Sequence, residues 1–143
     1  SRAPNFYLTR ADMTVVDLSS YKDKPVLINV YPSIDTQLCF SSVQKFEADC
    51  KNTDLNILCV SMDLPFALKR VNEGENFEKV ELLSDFRNRD FGEVYGLTIA
   101  EGPLAGLLAR AVILLDKDHK VVHTELVSNI ANPPNYEEIL KKI

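Results

Sequence analysis

The stretch PVLINVYPSIDTQLCFSSVQKFEADC, Pro25–Cys50, changes its hydrophobic period part-way along, and that change decides the fold class. Pro25–Tyr31 is apolar on both parities and rich in β-branched residues, as in a strand covered on both faces of a sheet. Farther on, Cys39, Val43, Phe46 and Cys50 fall at i, i+4, i+7 and i+11, the stripe of an amphipathic helix. The polar residues Ser42, Gln44, Lys45, Glu47 and Asp49 fill other positions of that helix, and Asp35 or Thr36 is expected to cap its start.

The same alternation continues outward. Leu55–Met62 reads as a second buried strand, and Pro65 suits the first turn of a helix over PFALKRVN. Val80–Leu83 predicts a short strand, followed by a helix with Ser84 as its cap and Gly96 as its stop. Upstream, the segment before Pro25 reads as turns around a short strand at Met13–Val16. Downstream, RAVILLD and KVVHTELV, joined by DKDHK, predict a β-hairpin. The closing segment PPNYEEILKKI predicts a helix with Ile139, Leu140 and Ile143 on one side. Helices alternating with buried strands, then a hairpin and a last helix, give a three-layer α/β sandwich with a mixed sheet, a thioredoxin-like architecture. No repeat or Gly/Pro/Ser-rich linker divides the chain, so residues 1–143 are expected to form a single domain.

Composition narrows the function classes. The 143 residues are 45% hydrophobic and 26% charged, enough for an ordinary globular core. Lys and Arg number 16 against 21 Asp and Glu, for a net charge of -5 with the two signs interspersed. No basic block exists to follow a phosphate backbone, which disfavours nucleic acid as a partner. The longest apolar runs, such as Ala111–Leu115, are far too short to cross a bilayer, so a soluble protein with no membrane partner is expected. The chain opens on serine, without a charged and then apolar leader, and is expected to be a processed or shortened form. Three cysteines are too few for a secreted disulfide framework and point to a reducing space such as the cytoplasm.

The thiol of Cys39 poses the chemical question. A thiolate is the nucleophile, whereas a free cysteine of pKa about 8.5 is mostly protonated at neutral pH. Cys39 falls in the first turn of the predicted helix, where unpaired N–H groups and the positive end of the dipole favour an anion. Thr36 lies three residues earlier, where the chain entering the helix can bring its hydroxyl beside the sulfur. Pro32 has no N–H and a fixed φ, so it can shape the loop and shield the thiol from water. Attack of sulfur on a peroxide also needs a donor for the charge growing on the departing oxygen, and an arginine supplies several in one plane. A cysteine on an apolar helical stripe is more often a small core residue than a catalyst, in which case Thr36 is a mere cap and Pro32 a loop residue.

PSIDTQLC resembles the peroxidatic-cysteine motif of the peroxiredoxins. Together with VSMDLPFALKR, LLSDFRNRDFGEVYGL and GPLAGLLARAVILLD, it is similar to the thiol peroxidase subfamily, the atypical two-cysteine type, from about Ala3 to the C-terminus. Only the subfamily's N-terminal hairpin is missing from the match. The resemblance implies that Cys39 is the peroxidatic cysteine, Thr36 the hydroxyl that orients peroxide, Pro32 the shielding proline and Arg110 the guanidinium that stabilises thiolate and transition state. It implies no metal or organic cofactor, thioredoxin or another thiol as reductant, and a homodimer paired near the active site. Phe66, Phe86 and Tyr95 are candidates for that interface or for the core.

The chain departs from the subfamily at one decisive place. Asn72 stands where the helix after DLPFA usually carries the resolving cysteine, and asparagine cannot attack a sulfenic acid. Cys50 is a poor substitute: eleven residues along one helix at about 1.5 Å rise is about 16 Å, whereas a disulfide wants Cα atoms about 5.5 Å apart. Cys59, in the middle of a buried strand, is expected to be structural, as is Cys50. Gln37 and Phe40 are bulkier than the subfamily's usual residues and should narrow the pocket rim.

These readings predict a thiol peroxidase for hydrogen peroxide and alkyl hydroperoxides, its sulfenic acid reduced by an external thiol or through a mixed disulfide with another chain. The rival is a non-catalytic thioredoxin-fold redox sensor or interaction module. The lack of a C-x-x-C pair disfavours a dithiol oxidoreductase, and His119 and His123 near the hairpin lack metal-ligand spacing with the cysteines.

Overall fold

The structure is a computed structural model, described here for residues 1–127 and 132–143. Its centre is a seven-stranded mixed sheet in the order β2-β1-β5-β4-β3-β6-β7. The strands are β1 (Tyr7–Arg10), β2 (Val15–Asp17), β3 (Val26–Val30), β4 (Asn56–Ser61), β5 (Val80–Ser84), β6 (Ala111–Leu115) and β7 (Val121–Leu126). The helices are α1 (Gln37–Asp49), α2 (Pro65–Glu75), α3 (Asp90–Tyr95) and α4 (Tyr136–Leu140). β3, β4 and β5 run parallel, whereas β1 and β6 join this trio antiparallel.

The two parities of the central strands build two cores. Leu27 and Tyr31 of the β3 segment, Ile57 and Cys59 of β4, and Val112 and Leu114 of β6 face α1, α2 and Ile139 of α4. Val26, Ile28 and Val30, with Leu58, Val60 and Ile113, face the opposite layer, where Leu18, Tyr21 and Phe91 close over them. The three-layer, thioredoxin-like sandwich is therefore present, and the continuous apolar runs are explained by helices or loops on both faces of the sheet.

Several boundaries differ from the sequence reading. The strand expected at Met13–Val16 is a hairpin, with Met13 at φ 75° in the turn between β1 and β2. The helix expected from Ser84 starts only at Asp90, because Ser84 ends β5 and pairs with Thr9. Its first turn is served instead by the Asp85 carboxylate, which accepts from the N–H groups of Phe91 at 3.2 Å and Gly92 at 2.9 Å. Burial still pushes this carboxyl up to about 6, the two N–H bonds only partly offsetting the loss of water. Gly96, left-handed at φ 67°, stops α3 as expected. The expected hairpin forms between β6 and β7, with a bulge at Leu114/Leu115. In the last segment Ile139 is buried and Leu140 packs against the core, but Ile143 lies beyond the short α4 and is largely exposed.

Candidate active site

α1 carries the predicted stripe: Cys39, Val43, Phe46 and Cys50 are all buried against the sheet. Ser42, expected to face away, is buried too. Its hydroxyl donates to the Cys39 carbonyl at 2.7 Å and accepts from Asn29 Nδ2 at 3.1 Å, so a polar bridge ties the first turns of α1 to β3. A hydroxyl this short can turn inward and be satisfied locally, which periodicity alone does not register.

Thr36 occupies the N-cap position, yet neither it nor Asp35 caps the helix through its side chain. The Thr36 hydroxyl donates to the Ser33 carbonyl at 2.9 Å, and the Asp35 carboxylate pairs with Arg70 of α2 at 2.7 Å. Cys39, in the first turn, is only 1% exposed, whereas Thr36 is exposed and Pro32 is buried. Thr36 also lines a recess of about 370 Å³ together with Ile34, Gln37, Phe40 and Val71. Gln37 and Phe40 line this recess with Thr36, but Cys39, Pro32 and Arg110 are not among its lining residues.

The cation arrives from the far side of the chain. β6 pairs antiparallel with β3, Val30 opposite Ala111, so Arg110 enters its strand beside the point where the chain leaves β3 for Pro32. Its Nη2 lies 3.3 Å from the Cys39 sulfur, and the side chain is 2% exposed. The segment before it is held in place: the N–H groups of Ile99 and Ala109 donate to Leu107 and Leu97 at 2.8 Å each, and Thr98 bridges Leu108. Gly92 of α3 packs so closely below that an added Cβ would sit 2.2 Å from Thr98 Oγ1. Across 71 residues, a donor with several N–H groups meets a buried sulfur.

Comparison with known proteins identifies the family to which the chain belongs. A family model described as Redoxin matches residues 1–140. The thiol peroxidases of Mycobacterium tuberculosis (strain ATCC 25618 / H37Rv) and Mycobacterium bovis are each 48% identical to the chain over 140 residues, 98% of this chain and 84% of theirs. The chain belongs to the thiol peroxidase subfamily of the peroxiredoxins. Among solved structures, a peroxiredoxin-like protein from Aquifex aeolicus superimposes with a TM-score of 0.93 at 40% identity, covering 99% of this chain and 83% of that one. A thiol peroxidase from Chromobacterium violaceum gives 0.90 at 27% identity with the same coverage. The protein is accordingly a peroxiredoxin-type thiol peroxidase, and the sensor reading is not favoured.

The remaining cysteines have the environment of structural groups. All three are free thiols. Cys59 is enclosed between strands, and burial pushes it up to about 12, with only a long contact from Asn29 at 3.9 Å opposing. Burial also raises Cys50, the residue that ends α1. Asn72 is half-buried on α2 in a different recess, with Met13 and Phe66. Of the doubtful aromatics, Phe66 is exposed, Phe86 is half-buried under Arg87, and Tyr95 stacks on Phe91 at 4.5 Å.

Sequence reasoning passed over Asp63 and Tyr31. Asp63 accepts from the Ser33 hydroxyl, the Ile34 N–H and the Ser61 hydroxyl, so it fastens the loop before α1 to the end of β4. The only hint was an acid two residues after a serine at a strand end. Tyr31 is fully buried, and its hydroxyl has no hydrogen-bond partner among the described residues. Burial, with Cys59, Asp63 and Cys39 nearby, holds that phenol well above its ordinary value.

Proposed function

We propose that Cys39 is the peroxidatic nucleophile, Arg110 its electrostatic partner, Thr36 the orienting hydroxyl and Pro32 the shield, with hydrogen peroxide and alkyl hydroperoxides as substrates. The observation that carries this reading is the 3.3 Å contact between Arg110 and the Cys39 sulfur in a buried site. The thiolate attacks the terminal oxygen of R–O–O–H, an S–O bond forms as the O–O bond breaks, and the electron pair leaves with RO⁻. A proton from solvent completes ROH, and the sulfur is left as sulfenic acid. Arg110 donates to the sulfur and to the developing charge in a site that excludes water. Because the Thr36 proton is committed to the Ser33 carbonyl, this hydroxyl can only accept toward the substrate, and it aligns the hydroperoxide by its O–H. Pro32, buried and without an N–H, walls the sulfur off without offering a competing donor.

With Asn72 at the resolving position, an external thiol attacks the sulfenic acid, releasing water and forming a mixed disulfide that a second thiol reduces. Thioredoxin or a small thiol serves as that reductant, which suits a reducing compartment such as the cytoplasm. Rapid mixing with one equivalent of hydrogen peroxide or cumene hydroperoxide tests the reading. Expected are loss of one thiol of three far faster than for a free thiol, a dimedone adduct on Cys39 alone, and turnover sustained by dithiothreitol or thioredoxin. Oxidation at a free-thiol rate, an adduct on Cys50 or Cys59, or a Cys39–Cys50 disulfide would each reject it.

The chain also forms a homodimer in this reading. Leu64 and Phe66 at the start of α2 are 52% and 69% exposed, and Met13 of the β1–β2 turn, 40% exposed, shares a recess with Phe66, so an apolar surface lies at the start of the helix whose later turns border the Thr36 recess. No helix among the described residues is long and apolar enough to cross a membrane, so a bilayer-spanning explanation does not compete for the patch. Sedimentation velocity should give a dimer that Phe66→Asp converts to monomer; a monomeric wild type refutes the assignment.

A further inference from the structure

We propose that Asp63 is a positioning residue for the peroxide step, acting through Ser33 to fix the direction in which the Thr36 hydroxyl points. The inference rests on the assignment of Cys39 as attacking thiolate. Ser33 holds two roles at once. Its hydroxyl donates to Asp63 Oδ1 at 2.8 Å, which leaves that oxygen free to accept from the Asp35 N–H at 3.1 Å. Its carbonyl accepts from the Thr36 hydroxyl at 2.9 Å and from the Thr36 N–H at 3.2 Å. The orientation of Ser33 therefore decides where the Thr36 proton goes, and Asp63 decides the orientation of Ser33.

A carboxylate at position 63 gives each of the donors around it an acceptor. Oδ2 accepts from both the Ile34 N–H and the Ser61 hydroxyl at 2.7 Å, while Oδ1 takes the Ser33 hydroxyl, so both oxygens face donors. An amide can keep both bonds of Oδ2 but turns its NH₂ toward Ser33 Oγ, so the Ser33 hydroxyl loses the acceptor that fixes its proton. Asp63 is itself anchored, since its N–H donates to Ser61 Oγ at 3.3 Å and its carbonyl accepts from the Ser84 hydroxyl. The ends of β4 and β5 thus form a rigid base, and the Pro32–Thr36 loop hangs from it by charge-assisted bonds. Released from that base, Ser33 can rotate, and Thr36 can turn its proton toward the incoming oxygen instead of accepting from it.

Asp63→Asn is expected to slow single-turnover oxidation of Cys39 by hydrogen peroxide about 30–100-fold, the scale of a loosened reacting geometry. Alkylation of Cys39 by iodoacetamide needs the sulfur but no aligned oxygen, and should change less than about threefold. In a Thr36→Val background, Asp63→Asn should cost less than about a further threefold, because the group it positions is gone. Equal slowing of oxidation and alkylation, an undiminished effect in the Thr36→Val background, or an unchanged oxidation rate overturns the proposal. Should Asp63→Asn lose its native circular dichroism, Ser33→Ala decides: oxidation slowed about 5–10-fold with alkylation preserved supports the clamp, and an unchanged rate overturns it. A wild type no faster than a free thiol overturns both this inference and the Cys39 assignment; a fast wild type with any of the other negative results overturns the clamp alone.

Discussion

Arg110→Ala slows the single-turnover oxidation of Cys39 by about 10²–10³-fold, the loss expected when one preorganised donor to a developing anion is removed. The size follows from the setting. The guanidinium is 2% exposed and its Nη2 sits 3.3 Å from the sulfur, so no water stands ready to take its place. In such a site the interaction between a fixed cation and growing negative charge is screened far less than at the surface. Arg110→Lys recovers only part of the rate, because an ammonium offers a point charge where the planar group can serve sulfur and departing oxygen together. Rapid mixing with hydrogen peroxide measures both variants. A slowing below tenfold for Arg110→Ala would mean that the helix start alone activates the thiol, and the assigned role of Arg110 would fall.

Phe46→Ala destabilises the protein by about 3–5 kcal/mol, the range for emptying a fully buried aromatic site. Phe46 is wholly buried on the stripe of α1 and meets the Tyr136 ring edge-on at 5.4 Å, so it joins the helix that carries Cys39 to the closing helix α4. Native stability is about 5–15 kcal/mol in all, so the variant approaches the threshold of folding. Chemical denaturation should place the loss at or above about 3 kcal/mol, and Phe46→Leu, which keeps most of the volume, should cost about 1.5 kcal/mol or less. A loss for Phe46→Ala below about 1 kcal/mol would show that α1 is not anchored through this ring.

Legibility in the sequence followed the range of the interaction. β3, β4 and β6 were readable because strands buried on both faces carry apolar residues on both parities, and α1 was readable from Cys39, Val43, Phe46 and Cys50. Of the hairpin at Tyr7–Asp17 only a short strand at Met13–Val16 is legible, because the turn is made by Met13 rather than by glycine. α3 was started too early because Ser84 looks like a cap, whereas its actual anion, Asp85, lies several residues before the N–H groups it serves. In the site, the pattern from Pro32 to Cys39 was readable as a loop entering a helix. What Thr36 does with its proton was not, since that depends on the Ser33 carbonyl and, behind it, on Asp63 from another strand end.

The sequence by itself determined that a thiol stands in the first turn of a helix, that this helix follows a buried strand, and that asparagine replaces the expected resolving cysteine. The first two are matters of spacing along one stretch of chain, set by the 3.6- and 2-residue periods of the backbone, and the third rests on the resemblance to the thiol peroxidases. Tertiary structure alone decided that Arg110 meets Cys39 and that Asp63 holds the loop between them. Both depend on strand register, Val30 against Ala111 and Val30 against Val60, and register is chosen by the burial of whole faces rather than by any local signal.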